Sequence, residues 1–205
     1  MARPSNTDAR RGEIVEALRR VMAEHGYEKA TVSRIAEAAG LAPGLVHYHF
    51  GSKEEVLLAL VDDLTGRAEA RMDERLAAAG PDPRERLGAV LEALLATGSG
   101  SDPDAVACWT LIGAEAIRHP AVRAAYQTFV SQTVARLRRE SLAACRAEGR
   151  AGGGVGAIAA GLMATVEGYF GLAAAVPGLV PEGTAAATAR RIAFGLLDAQ
   201  PPVAE

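Results

Sequence analysis

Aromatic residues and cysteines are scarce in this chain. Only 4% of its 205 residues are aromatic, and only two, Cys108 and Cys145, are cysteines. Two cysteines do not form the framework of a small disulfide-rich secreted protein, so we expect both to be buried as small apolar side chains. Strands with strictly alternating β-branched residues are also lacking, whereas alanine and leucine are abundant. These features predict an all-α fold without a sheet.

Positive charge is not in excess either, because the formal net charge is −3. Basic and acidic residues balance over residues 1–60, and the acidic excess lies in residues 61–205. One window of the first part differs from the rest. No acid occurs between Glu37 and Glu54, whereas His47, His49 and Lys53 all lie there. A local acid-free surface of this kind can bind phosphate even on an acidic protein.

Catalytic and cofactor motifs are lacking as well. The sequence contains no nucleophile elbow, no phosphate-binding P-loop and no HExxH metal motif, so we predict that the protein is not an enzyme. Residues 154–159 (GVGAIA) match a degenerate dinucleotide fingerprint, but a helix is predicted before them instead of the strand that this fingerprint requires. We therefore predict a loop at this point and no cofactor.

A metal site would have to use His47 and His49. Residues two apart on a helix do not face each other, so this pair is a poor chelate and we predict no bound metal.

The first residues of the chain are polar and charged and do not resemble a secretory signal. The longest apolar tract, Val155 to Val180, is interrupted by Glu167, Pro177 and several glycines. It is better explained as a core or interface helix than as a membrane span. We accordingly expect a cytoplasmic protein with no membrane partner.

Residues 31–50 (TVSRIAEAAGLAPGLVHYHF) have the pattern of two short helices joined by a tight turn. Apolar residues recur at helical spacing from Val32 to Ala39, and Thr31 is a plausible N-cap. Gly40 then suits the left-handed backbone at a helix end, and Pro43 suits the first turn of a second helix. This is a helix-turn-helix, whose second helix enters the DNA major groove.

The motif becomes more specific with the residues that follow it. The segments 35–44 (IAEAAGLAPG) and 47–57 (HYHFGSKEEVL) together resemble the TetR/AcrR family of bacterial transcriptional regulators. The chain departs from that family at His47, where a tyrosine is usual, while Tyr48 supplies an aromatic at the next position. The resemblance implies an N-terminal DNA-binding domain over residues 1–52 and an effector-binding and dimerisation domain over residues 53–205.

The candidate DNA contacts fall into two groups. We expect Thr31, Tyr48 and Lys53 to contact phosphates, which position the protein without reading sequence. The recognition-helix residues Pro43, Gly44, Leu45 and His47 would face the groove floor. Two alternatives stay open at this stage: Leu45 could pack in the core instead, and Lys53 could be a solvated surface lysine.

About nine helices are predicted in all. Residues 109–123 (WTLIGAEAIRHPAVR) resemble the ligand-domain helices of the branch that includes the betaine-pathway repressor. A largely apolar effector is expected, with a pocket formed by Trp109, Ile112, Tyr126, Phe129, Met163, Glu167 and Phe170, although the same side chains would serve as plain core. Glu167 could instead pair with Arg118 or Arg123, or lie at the solvent edge.

The helix predicted over residues 155–176 is apolar on most sides and rich in small residues, so it should be buried on more than one face. The resemblance explains this by a homodimer through the last two helices. The sequence thus predicts a dimeric DNA-binding regulator. Most proteins of this kind are repressors, so we expect a repressor that a small-molecule effector releases from a palindromic operator. The alternative is a helical adaptor of the same fold that does not bind an operator.

Overall fold

The computed structural model describes residues 6–95 and 103–203 of the chain. The helices within these ranges are α1 (Asn6–His25), α2 (Val32–Ala39), α3 (Pro43–His49), α4 (Lys53–Ala78), α5 (Pro83–Leu95), α6 (Pro103–Glu115), α7 (Pro120–Ala147), α8 (Val155–Ala175) and α9 (Thr184–Asp198). An isolated backbone bridge between Arg150 and Pro202 is the sole sheet-type pairing in the described ranges. The predicted all-α class is therefore confirmed, and the nine helices of the described ranges agree with the predicted number.

Two compact units can be distinguished along the chain. The first comprises the described part of Met1–Thr65 together with Pro103–Tyr126, and the second comprises the described part of Gly66–Asp102 together with Gln127–Glu205. The division falls inside α4 and α7 and groups α6 with the helix-turn-helix. It does not coincide with the boundary predicted between residues 52 and 53.

The first unit is built around α1, which packs against α2, α3 and α6. Its apolar face carries Ile14, Leu18 and Met22, and all three side chains are fully buried. They share the core with Ile35 of α2 and with Phe50, which follows α3. Burying a large apolar side chain contributes on the order of 2 kcal/mol, so these residues hold the two short helices in place.

In the second unit α9 packs against α5 and α8. The contact side of α9 consists of small residues with one leucine at its end: Ala185, Ala189, Ala193 and Leu197 are all fully buried. Ion pairs close the end of this unit, where Arg84 binds both Glu148 and Asp198. Hydrogen bonding to Arg84 lowers the pKa of both carboxyl groups and keeps them ionised.

The buried side of α7 is more polar than the sequence indicated. The helical spacing of apolar residues in α7 predicts that Val130 and Val134 belong to its buried stripe. Both are only half-buried, whereas Thr133, Glu140 and Ser141 are buried. Glu140 is 3% exposed and accepts hydrogen bonds from Arg86 and Arg139. Apolar spacing alone does not indicate this arrangement, because a carboxylate paired with two guanidinium groups can also occupy a buried helix face.

Helix α8 is, among the described helices, the one that is long and apolar enough to cross a membrane. In the fold it lies against α5 and α9, and Val155, Ile158, Leu162 and Val166 form its buried face. The opposite face is exposed and carries mostly alanine and glycine, among them Ala160, Gly161, Ala164 and Gly168.

Candidate nucleic-acid interface

Helix α3 divides its side chains sharply between core and surface. Val46 is buried within the helix and Phe50 directly after it, and together they anchor α3. The predicted groove-facing residues Pro43, Gly44, Leu45, His47 and Tyr48 are all exposed. Leu45 is 44% and Tyr48 80% exposed, so the alternative of core packing for Leu45 is not what the fold shows. Large side chains that are exposed to solvent on one helix face are accessible to a binding partner.

The turn between α2 and α3 is fixed by its backbone. Gly40 has φ 67° and ψ 30°, the left-handed conformation that glycine adopts at little cost. The Leu41 N–H donates to the Ala36 oxygen at 2.9 Å, and the Gly40 N–H donates to the Glu37 oxygen at 3.0 Å. These two bonds form the Schellman motif that satisfies carbonyls at a helix end. At the other end of α2, Thr31 is the N-cap and accepts from the Arg34 N–H at 3.3 Å, as predicted.

Two arginines of α1 hold the ends of the short helices. The Arg11 guanidinium donates to the His49 carbonyl oxygen at the end of α3 and lies 3.9 Å from the centre of the Phe50 ring. Arg20 donates to the Ala38 carbonyl oxygen near the end of α2, at 2.8 Å. A cation at a helix C-terminus offsets the negative end of the helix dipole and bonds a carbonyl that would otherwise lack a partner.

The sequence Ser52-Lys53-Glu54-Glu55 predicts a capping box at the start of α4, and the structure shows a variant of it. The Ser52 hydroxyl accepts from the Glu55 N–H at 3.1 Å, which confirms Ser52 as the cap. Glu55 reaches back, but its carboxylate accepts from the Gly51 N–H at 2.9 Å, one residue before the cap. The N-terminus of α4 is therefore fixed, and with it the position of Lys53 in the first turn.

The Lys53 ammonium is hydrogen-bonded to backbone carbonyl oxygens of the first unit. Its Nζ donates to the Tyr27 carbonyl oxygen at 2.9 Å and lies 3.5 Å from the Glu28 carbonyl oxygen. The same ammonium lies 4.0 Å from the centre of the Tyr27 ring, a cation–π contact. Burial lowers the pKa of Lys53 and raises the pKa of Tyr27 to about 12.

These bonds give Lys53 a role that the sequence did not indicate. Its ammonium joins the start of α4 to the turn between α1 and α2. An ammonium has three N–H donors, and one remains for a phosphate beside the two directed at these carbonyls. The predicted phosphate contact of Lys53 stays a prediction.

The predicted effector-pocket residues are divided between the two units. Trp109, Ile112 and Tyr126 belong to the first unit, where the Trp109 and Tyr126 rings lie 5.3 Å apart between centroids. Phe129, Met163, Glu167 and Phe170 belong to the second. Ile112 and Met163 are buried, while Glu167 and Phe170 are half-buried. Of the two proposed partners of Glu167, Arg118 pairs with Glu28, and Arg123 donates to the carbonyl oxygens of Ala116 and Ile117.

Comparison with protein families agrees with this geometry. Residues 14–60, which contain the helix-turn-helix, match the family described as bacterial regulatory proteins of the tetR family. Residues 83–198, more than half of the chain, match the C-terminal region described as that of a BetI-type transcriptional repressor. The chain belongs to the TetR family. Both resemblances noted in the sequence are thereby confirmed, as is the expectation of a regulator rather than an enzyme.

Individual TetR-family proteins show how far the similarity extends. The chain is 37% identical over 116 residues to the transcriptional regulator BetI of Rhizobium meliloti, covering 56% of this chain and 55% of that protein. The matched segment therefore spans about half the length of this curated relative.

Among solved structures, a transcriptional regulator from Rhodococcus sp. Rha1 superimposes with a TM-score of 0.79 at 24% identity, over 95% of this chain and 99% of that one. A regulator from Saccharomonospora viridis, solved in complex with choline, gives a TM-score of 0.73 at 22% identity, over 94% of this chain and 97% of that one. At these identities the superpositions establish the fold alone.

Proposed function

We propose that this TetR-family protein is a DNA-binding transcriptional regulator that reads its operator with α3. The observation that carries the proposal is the exposed face of that helix, formed by Pro43, Gly44, Leu45, His47 and Tyr48 on an anchored scaffold. Side chains on a fixed short helix can be presented to the groove without loss of much conformational freedom on binding. The helix-turn-helix geometry supports entry into the major groove.

Within the groove, specificity and positioning are assigned to different residues. His47 can donate or accept a hydrogen bond at a base edge, and Leu45 can contact a thymine methyl group. Gly44 has no Cβ, and a Cβ added there would meet nothing within 4 Å inside the protein, so this position can bring the backbone close to DNA. Thr31, Tyr48 and the remaining Lys53 N–H are assigned to phosphates, which fix the register of the helix on the duplex.

The protein is further proposed to act as a homodimer through α8 and α9. The exposed face of α8 is made of small residues, which allow another helix to approach closely. On α9, which packs beside α8, Ile192 and Leu196 are each 40% exposed. We propose that these side chains and the exposed face of α8 form one apolar surface. Covering such a surface by a second copy removes it from water, and two-fold symmetry would match a palindromic operator.

A small-molecule effector is proposed to release the repressor from that operator. The side chains predicted for its binding are mostly apolar, which supports a largely apolar ligand: Trp109, Ile112, Tyr126, Phe129, Met163, Glu167 and Phe170. Binding could alter DNA affinity only if the ligand has different affinities for the two arrangements of the reading heads. The cytoplasmic location expected from the sequence is consistent with this role.

A mobility-shift experiment with the DNA upstream of the protein's own gene tests the proposal. The intact protein should retard this duplex at nanomolar concentration and in the presence of an excess of unrelated DNA. A variant with His47→Ala and Tyr48→Ala should lose the specific shift while remaining folded. If the intact protein binds this DNA no better than unrelated DNA, the adaptor alternative is favoured instead.

A further inference from the structure

His119 lies in the turn between α6 and α7, within the first unit, and its ring stands between two carboxylates. Its Nε2 atom is 3.3 Å from the Glu115 carboxylate at the end of α6, and its Nδ1 atom is 4.0 Å from the Glu54 carboxylate in the first turn of α4. The backbone N–H of His119 donates to the Glu115 carbonyl oxygen at 2.9 Å, which keeps the ring close to that residue. His119 therefore connects the end of one helix with the start of another.

The charge of the His119 ring decides how many of these carboxylates it can bind. A neutral imidazole has one N–H donor, whereas a protonated one has two. The Glu115 side chain is only 11% exposed, so water screens its contact with the ring less than it screens a surface pair. Histidine is also the side chain whose charge ordinarily changes between pH 5 and 8. Proton uptake would therefore join the end of α6 to the first turn of α4.

Tyr27 brings this histidine close to Lys53, the proposed phosphate contact. The His119 ring meets the Tyr27 ring edge-on, 5.9 Å between centroids, and the Lys53 ammonium lies 4.0 Å from the centre of the same Tyr27 ring. Burial lowers the pKa of Lys53, and the negative charge of Glu115 acts in the opposite direction. Glu115 therefore attracts the Lys53 ammonium as well as His119. A positive charge on His119 would offset this attraction and leave more of the Lys53 charge to act on a phosphate.

The other charged groups around His119 have different partners. Arg118 pairs with Glu28 of the turn between α1 and α2 at 3.4 Å. Arg123 of α7 donates to two backbone carbonyl oxygens of the turn that contains His119. The two carboxylates beside the ring are therefore the groups whose charge a protonated His119 would balance.

We propose that His119 is a positioning residue for operator binding, whose protonation tightens the complex as the pH falls. The protonated ring links Glu115 to Glu54 and adds a positive charge beside Lys53. The added charge attracts the anionic duplex, and the linked first turn of α4 holds Lys53 in place. This inference rests on the proposed operator binding and adds regulation by pH to it.

The experiment compares the affinity for the DNA upstream of the protein's own gene at pH 6 and pH 8, at one salt concentration, by fluorescence anisotropy. The parent protein should bind more tightly at pH 6. His119→Gln cannot take up a proton, so the ratio of the two affinities should fall about twofold to fivefold per protomer. His119→Lys keeps a permanent charge, so it should show the same reduced ratio but bind more tightly than His119→Gln at pH 8.

Two further variants locate the effect. Glu54→Gln removes the partner on α4 and should reduce the affinity ratio even though His119 is intact. His25→Gln is the control, because His25 is an exposed histidine that lies 3.5 Å from Glu24 of the same helix, and it should keep the ratio of the parent. His47 is unchanged in all these variants, so a titration of its own ring cancels from the comparison.

A second measurement needs no DNA. In an NMR titration of the isotope-labelled full-length protein from pH 8 to pH 6, the backbone amide signal of Glu54 should shift along the same curve as the His119 ring signals. Carboxyl groups ordinarily titrate near pH 4 and do not produce such a shift by themselves. In His119→Gln the shift of the Glu54 signal should disappear.

The proposal is overturned if the parent and His119→Gln bind the duplex specifically but with the same ratio of affinities at the two pH values. It is also overturned if the Glu54 amide signal does not follow the His119 ring. Absence of specific binding by the parent at either pH would instead overturn the proposed function itself, and the NMR titration would still decide whether the link between α6 and α4 exists.

Discussion

Arg11 of α1 donates a hydrogen bond to the backbone carbonyl oxygen of His49, at the last residue of α3. The two residues are 38 positions apart in the sequence, and the same guanidinium lies over the Phe50 ring. A single side chain of the first helix thus fixes the end of the proposed reading helix. The exposed residues of α3 owe part of their fixed orientation to this contact.

Replacing Arg11 tests this anchoring role. Arg11→Gln removes the charged donor and the ring contact, so we expect a loss of about 1 kcal/mol in the free energy of unfolding. Chemical denaturation provides the measurement. Arg10→Gln is the matched control, because Arg10 pairs with Glu13 in its own helix and should contribute less than about 0.5 kcal/mol. Equal stability of the two variants would show that Arg11 does not anchor α3.

The helix-turn-helix could be predicted from the sequence because its signals are local. Thr31, Gly40 and Pro43 each act within a few residues through capping, left-handed backbone or a fixed φ angle. Val46 and Phe50 follow the apolar spacing of a short helix. The exposure of Leu45 could not be predicted, because an apolar residue on a short helix can point toward either the core or a partner.

The contacts of Arg11, Arg20 and Lys53 could not be predicted in the same way. Each contact joins a side chain to a backbone carbonyl of a distant segment. Every residue has such a carbonyl, so the sequence does not indicate which one accepts the hydrogen bond. The polar residues on the buried face of α7 could not be predicted for a related reason. Glu140 is tolerated in the core because Arg86, 54 positions away, binds it.

Lys53 is predicted to serve both fold and DNA. Lys53→Met keeps the aliphatic stem and removes the donor to the Tyr27 and Glu28 carbonyl oxygens, so the free energy of unfolding should fall by about 1 kcal/mol. If the third N–H contacts a phosphate, DNA affinity should fall equally for all sequences. The log–log salt dependence should then become shallower by about one unit. Reduced stability with an unchanged salt slope would leave Lys53 with its structural role alone.

Gly161 provides a clean test of the proposed dimer. A Cβ added there would meet nothing within 4 Å in the protomer, so a larger residue can be placed without disturbing the fold of one copy. Gly161→Met should shift the protein from dimer to monomer in sedimentation experiments and weaken operator binding. Gly66→Met is the control, because Gly66 lies exposed in α4 and its added Cβ would also meet nothing within 4 Å. A parent protein that sediments as a monomer at micromolar concentration would contradict the dimer.

His47 is the predicted base-reading residue. His47→Ala should cost about 1–3 kcal/mol per half-site and flatten the preference at one symmetric pair of operator positions. Affinities for operators changed at single positions, measured by fluorescence anisotropy, would locate that pair. His49→Ala is a useful comparison, since the His49 ring lies against the Tyr48 ring, 5.1 Å between centroids. An unchanged preference in the His47 variant would transfer base reading to Leu45 and Tyr48.

The most direct measurement is a binding-site selection from random duplex DNA with the intact protein. Two copies of α3 related by two-fold symmetry predict an enriched palindrome, with half-site centres separated by about one helical turn of DNA or a multiple of it. The selected duplex should bind far more tightly than a scrambled one at the same salt concentration. Recovery of no enriched sequence, or of a single unpaired half-site, would contradict operator reading by a dimer through α3.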